Sequence, residues 1–163
     1  MKRILISILF LASVFTTVAQ TNCSIKKAYA YYTVSVPGIQ MSDDNGNPIP
    51  VKPAIGRFIY FEWSGPKKPG TITVLYNNKA LVATLTAVAG KSVTPGSEIN
   101  QNNISKITIK KTNSLWKIEL LPKEGGSMPD QDCKNICIKI KGTKNSCTFW
   151  LFKETELLNM PRY

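Results

Sequence analysis

Along most of the chain after residue 20, apolar positions recur every second residue and not at the 3.6-residue spacing of a helix. That alternation marks strands with one buried face. Lys106-Ile107-Thr108-Ile109-Lys110, Trp116-Lys117-Ile118-Glu119-Leu120 and Ile136-Cys137-Ile138-Lys139-Ile140-Lys141 are the clearest runs, with one parity apolar and the other chiefly charged. They predict a core-facing set of Ile107, Ile109, Trp116, Ile118, Leu120, Ile136, Ile138 and Ile140.

Earlier runs, Tyr29 to Val36, Arg57 to Trp63, Thr71 to Tyr76 and Lys79 to Val88, are richer in aromatic and β-branched residues. Tyr29-Ala30-Tyr31-Tyr32 and Phe58-Ile59-Tyr60-Phe61-Glu62-Trp63 are apolar on both parities, which suits strands buried on both faces or an aromatic patch offered to a partner. Asn77-Asn78 separates two of the runs. Asparagine tolerates the positive φ that a two-residue turn demands, so a tight hairpin is expected there. Cys147 to Lys153 supplies a last strand, and Glu154 to Asn159 either continues it or forms a short helical turn before Pro161.

Turn chemistry fills the connections: Asp43-Asp44-Asn45-Gly46-Asn47-Pro48, Ser64-Gly65-Pro66, Lys68-Pro69-Gly70, Pro95-Gly96-Ser97 and Lys123-Glu124-Gly125-Gly126. The expected fold is all-β, an antiparallel β-sandwich of about eight strands. An immunoglobulin-like arrangement is favoured and a small β-barrel is the alternative. The cysteine–tryptophan–cysteine spacing of antibody domains is missing.

The first residues change the setting. Met1-Lys2-Arg3 leads into the apolar run Ile4 to Phe15 and then Thr16-Thr17, the layout of a secretory signal peptide with cleavage expected between Ala19 and Gln20. The run falls short of the roughly 20 residues of a spanning helix, and no later stretch matches it. Residues 1–19 are thus expected to be a leader and 20–163 a single β domain, exported to the periplasm or beyond the cell. The whole chain carries a net +11; without Lys2 and Arg3 the domain keeps 19 basic residues against 10 acidic ones. The excess is nearly all lysine, which favours loose attraction to anions over specific nucleic-acid recognition.

Export makes the cysteines structural. Cys23, Cys133, Cys137 and Cys147 form an even set, for which two disulfides are the expected state. Cys137–Cys147 is favoured because the two flank Gly142-Thr143-Lys144-Asn145 in an apparent hairpin, leaving Cys23–Cys133 to tie down the N-terminal segment.

Candidate catalytic chemistry is sparse. The sequence has no histidine, which removes Ser-His-Asp and Cys-His constellations and histidine-ligated metals. Glu62, set between Phe61 and Trp63, is the carboxylate of most interest for hydrolytic chemistry, although strand alternation places it on the solvent face. Asp43 to Asn47 shares oxygen ligands with a calcium loop, but Pro48 and Ala54 occupy positions such a loop cannot spare, so it reads as a turn. No cofactor motif is found.

Lys106, Lys110, Lys117, Lys139 and Lys141 would form one basic face if their strands were neighbours, a surface for an acidic protein or an anionic polysaccharide. The reading that results is an exported, non-enzymatic binding domain, for example a periplasmic inhibitor or immunity-type protein. A carboxylate-dependent hydrolase built on Glu62 and a structural envelope component are the alternatives.

Overall fold

The computed structural model describes residues 23–35, 42–49, 53–96, 105–124, 126–129, 135–141 and 146–157. The expected leader and Cys133 lie outside them. Ten strands run in chain order: β1 (Ile25–Ser35), β2 (Ala54–Trp63), β3 (Thr71–Tyr76), β4 (Lys79–Val88), β5 (Ser92–Val93), β6 (Ile107–Thr108), β7 (Ser114–Leu121), β8 (Ile136–Lys141), β9 (Ser146–Leu151) and β10 (Glu154–Leu157). No helix occurs among the described residues, so none is long and apolar enough to cross a membrane.

Eight strands form one sheet in the order β10-β1-β2-β7-β4-β3-β8-β9, and β5 pairs with β6 separately. The large sheet curls until β9 lies beside β1. The fold is all-β as expected, an arrangement between the sandwich and the barrel. The expectation of a purely antiparallel sheet is corrected: β10 runs parallel to β1. The reason lies in the last extended stretch, which pairs with β8 through its first part and, after Phe152-Lys153, with β1 through its second. It leaves one edge of the sheet and joins the other.

Alternation builds the interior. Ile59, Phe61, Val74, Tyr76, Ile118, Leu120, Ile136, Ile138 and Ile140 form the main core with Ile25, Ala30, Leu81 and Cys147. A one-residue slip in any of these strands would turn the set outward, at roughly 1.5–3 kcal/mol for each large side chain. The hairpin at Asn77-Asn78 is present, with φ of 45° and 66° at the two asparagines, the signs required at both central positions of a type I′ turn.

The two-sided aromatic strands are buried on both faces over part of their length. On the outer face of β1 and β2, Tyr31 stacks on Phe58 with centroids 5.7 Å apart, and Tyr60 meets both rings edge-on. Leu115, Leu157, Ile107 and Ile109 pack with this cluster, and Val88 and Val93 flank it. Ile107 and Ile109 therefore belong to a second, outer core, because the segment carrying them forms only the short strand β6 and lies over the sheet.

The favoured disulfide pairing is overturned. Cys23 is bonded to Cys147, with Cα atoms 4.9 Å apart, while Cys137 keeps a free, buried thiol, which burial pushes above its ordinary value. The β8–β9 register explains this: Cys147 sits opposite Ile140, and Cys137 sits opposite Trp150, three rungs away. Two cysteines in one hairpin can bridge only when the register sets them side by side.

Candidate functional site

Among the described residues, two places gather side chains of chemical interest. The first lies inside the curled sheet. Arg57 follows the inward parity of Ile59 and Phe61 and is only 2% exposed. Its Nε donates to the Tyr76 hydroxyl at 2.9 Å and to Glu154 Oε1 at 3.2 Å, and its Nη1 donates to the Pro129 carbonyl at 2.6 Å. The Tyr76 hydroxyl donates to Glu154 Oε2, and the guanidinium carbon stands 4.6 Å from the Tyr76 ring centroid. Burial raises the Glu154 carboxyl above its ordinary value, against the opposing hydrogen bond from Tyr76 and the charge of Arg57. No buried side-chain nitrogen or oxygen among the described residues is left without a hydrogen-bond partner. The effect of the cluster is to fasten β10, through Glu154, to Arg57 of β2 and Tyr76 of β3.

The second is a groove of about 500 Å³ at the seam. One offset of 124 residues relates Cys23 to Cys147 and Ala30 to Glu154. The N-terminal stretch and the last stretch thus run alongside in a single parallel register, held at one end by the disulfide and at the other by the Ala30–Thr33 ladder with β10. Between the two fastenings they part. Lys26 to Tyr31 lines one side of the opening, and Phe149 to Lys153 with Thr155 lines the other. On β1 the register with β2 slips between Ile25 and Lys27, a bulge that bends the strand where the groove begins.

The groove is both aromatic and basic. Tyr29, Trp150 and Phe152 are 38%, 48% and 71% exposed, a concentration of open rings that interaction sites favour. Lys26, Lys27 and Lys153 stand exposed among them, and among the described residues no acidic side chain lines the opening. Such a site can hold an anionic, partly apolar ligand by stacking and charge.

The five lysines anticipated as one basic face are placed apart. Lys106 and Lys110 flank β6, Lys117 is on β7, and Lys139 and Lys141 are on β8, with β4 and β3 lying between β7 and β8. Lys117 is engaged with Glu119 at 2.6 Å and stands over the Phe58 ring. Only Lys139 and Lys141 share an exposed strip, beside Thr73, Thr71, Thr148 and Ser146.

Glu62 departs from its expected solvent position. Its parity is outward, but the segment after β6 covers it. The carboxylate is buried and accepts from the Lys110 backbone N–H at 3.1 Å and from Asn113 Nδ2 at 2.6 Å. The Asp43 turn is as expected: its carboxylate accepts from Asn47 and Asn45 backbone N–H and from the Asn47 amide, which holds its pKa below the usual range.

The stretch Tyr29 to Tyr32, expected to be buried or to offer an aromatic patch, supplies Tyr29, Ala30 and Tyr31 to the groove, whereas Trp150, Phe152 and the groove lysines escaped the reading of the sequence, although one signal was present. In Ser146-Cys147-Thr148-Phe149-Trp150, the tryptophan shares parity with serine and threonine and is therefore outward. Comparison with protein-family models, with curated proteins and with solved structures finds no match to this chain.

Proposed function

We propose that this chain is an exported, non-catalytic binding domain whose contact surface is the basic aromatic groove between β1 and β9. The observation that carries the reading is the exposure of Tyr29, Trp150 and Phe152 beside three lysines at one opening. Large exposed rings cost solubility and are retained where a partner covers them. The disulfide and the buried Arg57–Glu154 contact hold the two sides of the opening in place, which limits the ordering that binding must supply. A partner with surplus negative charge suits both the groove and the net charge of the domain, as for an inhibitor or immunity-type protein acting on an acidic target.

The test is comparative retention. Mature protein, Trp150→Ala/Phe152→Ala and Lys139→Glu/Lys141→Glu are immobilised and challenged with native envelope extract. The expected result is a ligand held by the wild type and by the β8 variant but lost by the groove variant. Retention that survives loss of both rings but not of the β8 lysines would move the site to β8.

A further inference from the structure

We infer that the groove takes an extended, acidic segment of a partner protein, whose backbone pairs with an open strand edge. The inference rests on reading the groove as the binding site. Successive residues of a strand point to opposite faces, so a groove lying on one face is lined by every second residue. This one is lined by consecutive residues, Lys26 to Tyr31 and Phe149 to Lys153. Main chain therefore borders it on both sides.

Those borders have backbone groups to offer. The ladder between β1 and β10 covers Ala30–Thr33, β9 is paired with β8 along its other edge, and no ladder joins β1 to β9 among the described residues. An open edge of this kind is a template for another extended chain, with main-chain hydrogen bonds giving affinity and side-chain contacts giving specificity. A polysaccharide would use the rings and the lysines but not the backbone donors and acceptors. The edge is what favours a peptide.

Length and charge narrow the segment further. Of the lining residues on β1, Lys26 to Tyr29 lie outside the ladder with β10, an open edge of roughly 13 Å at about 3.3 Å per residue that pairs about four residues of extended partner chain. Lys27 and Tyr29 stand two apart on β1 and so share a face, which the partner would meet with an acid and, two residues on, an apolar side chain. The recognised motif is thus an acid followed two residues on by an aliphatic or aromatic residue.

The experiment uses fluorescence anisotropy with the mature protein and labelled hexapeptides in which a Glu precedes Val, Ile, Leu, Phe or Tyr by two positions. The tightest binder is remade with N-methylated amides on either alternate set, and heparin fragments form a separate arm. N-methylation of one set should weaken binding by about tenfold or more while the other set is tolerated, since only alternate amides face the edge. Lys26→Glu/Lys27→Glu should weaken the peptide similarly, and Lys139→Glu/Lys141→Glu should leave it unchanged. Equal affinity for both methylated sets, or no hexapeptide bound, overturns the inference. Heparin bound alone, and lost in Trp150→Ala/Phe152→Ala, overturns the peptide but keeps the groove as the site. Heparin binding untouched by the groove variants removes the groove reading as well.

Discussion

Removing the carboxylate of Glu154 tests what closes the sheet. Arg57 is 2% exposed, the Glu154 side chain is 5% exposed, and Tyr76 is fully buried. In Glu154→Ala the guanidinium and the tyrosine hydroxyl lose their shared acceptor without gaining water. Breaking a buried pair in this way costs about 3–5 kcal/mol, a large share of the 5–15 kcal/mol typical of a whole domain. With a urea m-value of about 2 kcal/mol/M, the unfolding midpoint should fall by roughly 2 M.

Glu154→Gln should behave differently. Burial raises the Glu154 carboxyl, and glutamine keeps an oxygen at the same place without the charge. The retained acceptor should hold the cost below that of Glu154→Ala, at roughly 1–3 kcal/mol, the range for a hydrogen bond weakened at a buried group. Arg57→Met/Glu154→Leu, which removes both charges, should cost less than Glu154→Ala. The pH dependence follows with a definite sign. Because the folded pKa lies above the ordinary 4.5, this group's contribution is full below the ordinary value and is lost as pH rises through the raised one. Glu154→Gln should lack that decline. Glu154→Ala within about 0.5 kcal/mol of wild type, less than a single hydrogen bond, or Glu154→Gln as damaging as Glu154→Ala, would refute the reasoning.

Peptide mapping without reduction should return Cys23–Cys147; recovery of Cys137–Cys147 would contradict the β8–β9 register. Cys23→Ser/Cys147→Ser opens a loop of 124 residues, worth up to about 5 kcal/mol by chain entropy and read from urea unfolding. Asn78→Val places a β-branched residue at φ 66° and should lower stability by about 1–2 kcal/mol, whereas Asn78→Gly should not. Glu62→Ala leaves the Lys110 N–H and the Asn113 amide without their acceptor, at about 1–3 kcal/mol. Amide exchange at Lys110 should quicken, and unchanged protection there would show that Glu62 does not hold the loop.

Much of the fold was legible because strand alternation is a local property. The inward parity of Ile118, Leu120, Ile136, Ile138 and Ile140, the hairpin at Asn77-Asn78 and the Asp43 turn follow from neighbouring residues and the backbone geometry each type tolerates. The all-β class and the excess of lysine over acid need no more than the chain itself.

Strand order was decided only in three dimensions. Nothing local tells β7 that β4 and β3 separate it from β8, and that separation scattered the lysines. Nothing near Cys23 announces that the final strand returns beside it in parallel register, so Cys147 found Cys23 and Cys137 was left free. Glu62 had its outward parity from the sequence, yet a segment distant in the chain buried it. The groove has the same origin: its two sides lie more than a hundred residues apart and became one site because curling the sheet set its first and last strands together. Alternation determines which way a side chain points, and only long-range pairing determines what it meets.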